Sequence, residues 1–116
     1  MEKNLEELTI QFTIDVTKMC DAIPERRIFG NQLIRSASSI GANVFEANYA
    51  QSNLDFVHKM EIALKECYET EYWLKVLLGV GSLQQEQYQT TVAACGKIRR
   101  KIIASIKTIK SKIAIE

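Results

Sequence analysis

The stretch from Gln32 to Tyr49, QLIRSASSIGANVFEANY, gathers the side chains best suited to chemistry. Gln32, Arg35, Ser36, Ser39, Asn43 and Glu46 recur at helical spacing. At about 100° of rotation per residue they share roughly a third of a helix circumference. Leu33, Ala37, Ile40, Val44 and Ala47 form an apolar stripe beside them. A solvated face usually mixes Lys with Glu. This one carries short hydroxyls, an amide, one guanidinium and one carboxylate, a set suited to a partly buried hydrogen-bond network. Arg35 and Glu46 stand too far apart on one helix to pair. Glu69 and Glu71, further along, are acids that can receive Arg35 in a bidentate contact. No nucleophile sits beside a base, so the set does not read as a catalytic centre. The readings left are a ligand site, or a network of Gln32, Arg35, Ser39, Asn43, Glu46 and Glu69 that fixes the register of helices or subunits.

Other chemistries have less support. His58 is the single histidine. It has no Glu three residues before it, so the Glu-x-x-His pairs of carboxylate di-metal bundles are missing. Cys20, Cys67 and Cys95 are odd in number and far apart, which argues against a disulfide framework or a CxxC metal site. Each lies in or beside an apolar stripe, where a thiol acts as a small hydrophobe. The glycines are isolated and no Gly-Lys-Ser/Thr follows them, so a phosphate loop is excluded. No cofactor is expected, and neither is enzymatic activity.

Charge points to a different part of the chain. Residues 83–116 hold seven Lys or Arg and two Glu, while residues 1–82 hold eight basic and twelve acidic side chains, so a net +5 follows a net −4. Lys97, Arg99, Arg100, Lys101, Lys107 and Lys110 are the candidates for phosphate contact. Clustered basic residues on one element bind nucleic-acid backbone in a salt-dependent, weakly sequence-selective way. The same cluster also fits a solvated amphipathic face balancing an acidic remainder. Aromatic residues are not interleaved with the basic ones, which weighs against stacking on single-stranded bases. No apolar run approaches the roughly 18 residues of a membrane span. The N-terminus lacks the apolar core of a secretory signal, and a cytoplasmic location with no membrane partner is the expectation.

Helices must position all of these groups. One proline, five glycines and strong helical periodicity across 116 residues predict a single all-α domain over 1–116. The first helix is expected over Asn4–Ala22, capped by Asn4 and ended by Pro24, with Leu5, Leu8, Phe12, Val16 and Met19 facing inward. Gly30 interrupts the connection and Asn31 caps the second helix, Asn31–Tyr49. Gly41 within it implies close backbone packing, since it costs about 1 kcal/mol relative to Ala. Ser52 caps a third helix over Asn53–Val80, with Phe56, Met60, Ala63, Leu64, Cys67, Leu74 and Leu78 as its main stripe. Ile62, Trp73, Val76 and Val80 form a second stripe that a lone bundle would leave uncovered, so they are the subunit-interface candidates. Ser82 and Gln85 resemble a capping box for a fourth helix, Leu83–Ile113. Four helices with short connections predict an up-down-up-down four-helix bundle.

The string QLIRSASSIGANVFEANYAQSNLDF carries a family likeness. Gln32, Leu33, Arg35, Ala37, Ser39, Ile40, Asn43 and Glu46, then Ser52, Phe56, Ala63, Glu69 and Glu71, fall at the family's spacing. The chain resembles the four-helix-bundle proteins encoded in intervening sequences of 23S ribosomal RNA genes, once labelled ribosomal protein S23. Broader relatives include the accessory protein of diversity-generating retroelements. It departs from the pattern at Ile34, Ala47, Lys65 and Glu66. The resemblance implies a barrel-like homopentamer without established enzymatic activity. It also implies a scaffold role, with RNA or DNA, or a reverse transcriptase, as partner. The alternative is a protein-binding adaptor with no nucleic-acid affinity of its own.

Overall fold

Four helices form the chain in the computed structural model, which describes residues 3–23 and 28–115. They are α1 (Leu5–Asp21), α2 (Phe29–Ala47), α3 (Asn53–Gly79) and α4 (Gln85–Ile115). Of the connection expected over Pro24–Gly30, residues 24–27 lie outside the described residues.

The helix ends follow from local hydrogen bonding. Asn4 Oδ1 accepts from the Glu7 amide at 2.8 Å and Ser52 Oγ from the Asp55 amide at 3.1 Å, each satisfying an amide that has no partner within its helix. α3 stops in a Schellman turn: the Ser82 amide donates to the Leu77 carbonyl and the Gly81 amide to that of Leu78. Gly81 sits at φ 85°, a left-handed position that favours glycine.

Two helix starts differ from the sequence-based expectation. α2 begins at Phe29, not Asn31, and Ile28 at its cap makes no side-chain capping bond. Gly30 is buried inside the helix instead of breaking it, because Phe29 stacks on Trp73 with ring centres 6.1 Å apart and anchors the first turn by packing. α4 begins at Gln85, so Gln84 and not Ser82 stands at the cap; Gln87 Oε1 accepts from the Gln84 amide at 2.9 Å.

Cross-helix pairs fix the topology. Asn48 reaches Glu6 at one end of α1, and Gly41 lies against Thr9 further along, so numbering rises in α1 as it falls in α2. Lys59–Glu46 and Thr70–Ser36 show the same for α2 and α3, and Lys110–Glu61 and Arg99–Glu71 for α3 and α4. Met19 beside Thr91 closes the ring between α1 and α4. The arrangement is an up-down-up-down bundle, with its most extensive interface between α2 and α3.

The core combines Phe12 and Val16 of α1, Leu33, Ile40 and Val44 of α2, Met60, Leu74 and Leu77 of α3, and Ile98 and Ile102 of α4. The main stripe of α3 is rotated slightly from the one expected. Val57, Thr70 and Leu77 are buried, whereas Phe56 and Leu64 are only partly buried and Leu78 is intermediate. Thr70 turns inward with this rotation and bonds Ser36 of α2. At Gly41 an added Cβ would lie 3.3 Å from Thr9 Cβ and Oγ1, the close approach its place in the helix implies.

Candidate nucleic-acid interface

The polar stripe of α2 lies along the seam with α3. Arg35 bonds the Glu69 carboxylate, reaches Glu66 at 3.4 Å, and donates from Nε to Gln32 Oε1 at 3.1 Å. Asn43 Nδ2 donates to the Ser39 carbonyl at 2.9 Å, and Lys59 pairs with Glu46 at 3.2 Å. Glu71, the other acid expected for Arg35, pairs with Arg99 of α4 instead.

This network is more open than its composition suggests. The Arg35 side chain is 49% exposed, and Gln32 and Glu46 are exposed too. The enclosed polar contact is deeper. Thr70 Oγ1 donates to Ser36 Oγ at 2.9 Å, and Ser36 Oγ donates to the Leu33 carbonyl. Sequence reasoning missed Thr70 because a single hydroxyl among α3 apolar residues gives no periodic signal. Glu66 was not anticipated as a partner of Arg35 either, although its place three residues before Glu69 on the same face was the signal for it. Such an assembly can pin helix register. No enclosed side chain in it is placed to attack or to transfer a proton.

The second stripe of α3 is only partly open. Trp73 is half-buried, stacked on Phe29 and donating from Nε1 to Glu69 Oε2 at 3.0 Å. Ile62 and Val76 are half-buried, and Val80 is exposed. A separate apolar patch was not anticipated. Ile10 and Ile14 of α1, with Phe45 of α2 and Tyr49 in the turn after it, are exposed on the outer side of the α1–α2 seam. The i, i+4 spacing of each pair was visible, but its outward direction depends on Thr9 and Gly41 filling the seam.

The six basic candidates on α4 do not form one uniform face. Arg99 Nε bonds Glu71 Oε2 at 3.0 Å, and Lys110 pairs with Glu61 at 3.4 Å. Both turn toward α3, where acids balance them. Lys97, Arg100 and Lys107 are exposed, and Lys101 is half-buried. Arg100 and Lys107, seven residues apart, share the outward face and have no ion pair among the described residues. The Arg99 guanidinium lies 5.7 Å from the centre of the exposed Tyr68 ring. Aromatic and basic side chains therefore do meet, contrary to the reading of α4 alone, because the rings come from α3.

All three cysteines are buried and free. Among the described residues no His, Cys, Asp or Glu cluster is arranged to hold a metal ion, and no helix is long and apolar enough to cross a membrane.

The sequence matches the family profile of the 23S rRNA-intervening sequence protein over residues 3–104. Among solved structures, a protein of unknown function from the S23 ribosomal protein family of Bacteroides thetaiotaomicron VPI-5482 is 34% identical. It superposes with a TM-score of 0.84 over 90% of this chain and 99% of that one. No curated protein matches the chain significantly.

Proposed function

The chain belongs to the 23S rRNA-intervening sequence protein family, and on that premise we propose that it is a non-enzymatic homo-oligomeric scaffold binding RNA or DNA, or a ribonucleoprotein. The observation that carries this reading is the outward face of α4. Arg100 and Lys107 stand exposed there without acidic partners among the described residues, and Lys97 is exposed one turn before Arg100. Lys101 flanks them. Arg99 and Lys110 contribute less to this face, because Glu71 and Glu61 already engage them.

Assembly supports the same role. Exposed apolar residues fall on two separate faces, Ile10, Ile14, Phe45 and Tyr49 on one and Val80 with its half-buried neighbours on another. Two different faces suit a head-to-tail contact, which closes into a ring when the rotation permits. The number five for that ring comes from the family resemblance. Several weak basic patches repeated round a ring raise avidity without new contacts.

Titrating salt in RNA- and DNA-binding assays tests the proposal. Affinity is expected to fall steeply with salt, and Lys97→Glu/Arg100→Glu/Lys107→Glu to lower it and flatten the salt slope. Binding insensitive to these charges, or none, would remove this reading and leave the adaptor for a reverse transcriptase or another protein.

A further inference from the structure

Lys65, Tyr68, Tyr72 and Lys75 follow one another on α3 at steps of three, four and three, and all four are exposed. At about 100° per residue they occupy one narrow strip of the helix, on the side toward α4. The apolar residues Ile62, Trp73, Val76 and Val80 fall on the neighbouring strip, toward α2. The two tyrosines are 53% and 58% exposed, and about 6 Å of helix rise separates them.

Neither ring is loose. Tyr68 is backed by the Arg99 guanidinium, which Glu71 holds in turn. Tyr72 packs edge-on against Trp73, ring centres 5.0 Å apart at 77°. Beside them α4 has Gly96, buried beneath two arginine side chains that occupy the space a side chain there would need. A Cβ there would meet Arg100 Nη1 at 3.2 Å and Arg99 Nη2 at 3.5 Å. Two guanidinium groups thus lie side by side next to the tyrosine strip, and only Arg99 has an acid among the described residues.

We propose that this α3–α4 face is a platform for single-stranded nucleic acid, with bases stacking on Tyr68 and Tyr72 and phosphates held by Arg100, Lys65 and Lys75. The proposal rests on the nucleic-acid reading above and specifies its form. Open aromatic faces interleaved with cations suit unpaired bases, which a duplex keeps within its own stack. A second copy of the chain is the poorer occupant. It would bury Lys65, Lys75 and Arg100, which have no ion pair among the described residues, and interface centres are depleted in charge.

The test compares a labelled single-stranded oligoribonucleotide with a blunt-ended duplex containing the same strand, using fluorescence anisotropy on the full chain. Tyr68→Leu and Tyr72→Leu are each expected to weaken single-strand binding by about 5- to 100-fold. Duplex affinity and the salt slope should be unchanged, because no charge is removed. Tyr68→Phe and Tyr72→Phe should retain binding, since stacking uses the ring and not the hydroxyl. Undiminished single-strand affinity in the Leu variants would overturn the platform while leaving the basic-face reading intact. A wild-type chain that binds neither probe would defeat both. Leu variants with altered assembly mass by light scattering would assign the rings to a subunit contact and overturn the platform.

Discussion

Thr70 Oγ1 donates to Ser36 Oγ across the α2–α3 interface at 2.9 Å, and neither residue is accessible to solvent. Ser36 in turn donates its hydroxyl hydrogen bond to the Leu33 carbonyl, so the chain of donors ends satisfied. Either truncation alone, Ser36→Ala or Thr70→Val, is expected to cost about 1–3 kcal/mol by leaving a buried polar group short of a partner. The double variant should cost less than the sum of the two, because it removes the polar groups together. Urea unfolding of the four proteins measures the coupling; strict additivity would mean that the two hydroxyls do not act as a pair.

Gly41 gives a second, steric prediction. Its helix position favours Ala by about 1 kcal/mol, but the new Cβ would press on Thr9 at 3.3 Å. The two effects oppose, and Gly41→Ala should shift stability by less than about 1 kcal/mol. Gly41→Leu has no such offset, and overpacking should cost about 1–3 kcal/mol. A Leu variant as stable as wild type would show that α1 and α2 separate there easily.

Val80 is the cleaner probe of the proposed assembly, because Trp73 also packs within the chain on Phe29. Val80→Asp is expected to lower the assembly mass by light scattering with helicity retained. Trp73→Glu should lower both mass and melting temperature. A Val80→Asp chain with unchanged mass would move the subunit contact to another face, the Ile10, Ile14, Phe45 and Tyr49 patch being the next to test.

These cases show how far the pattern of residues reaches. Periodicity alone located four helices, and the caps at Asn4 and Ser52 marked two starts correctly because capping is local. Gly30 and Ser82 misled because packing decided those ends: Phe29 anchors on Trp73, and the Leu77 carbonyl receives the turn after α3. Arg35 and Glu69 were legible as a cross-helix pair by charge and spacing. The Tyr68–Arg99–Glu71 group was not, since its members become neighbours only when α3 and α4 pack, and each helix alone shows ordinary surface residues.

Cys95 makes alkaline stability informative. Its Sγ lies 3.6 Å from the Cys67 carbonyl, and its interaction with Cys67 followed by its burial push the thiol pKa far above the ordinary value. The unfolded chain, with a thiol pKa of about 8.5, loses this proton first. A folded pKa raised above the unfolded one contributes stability that is whole below about pH 8.5 and is lost as pH rises above it. Unfolding free energy should therefore fall between about pH 8.5 and 10 more steeply in wild type than in Cys95→Ala, with the difference isolating this thiol from titrating Lys and Tyr. In the native state at pH 8, a thiol reagent should modify Cys95 only at the rate of unfolding. Parallel pH profiles for the two proteins, or rapid native-state modification of Cys95, would show that the α3–α4 interface admits solvent at Cys67.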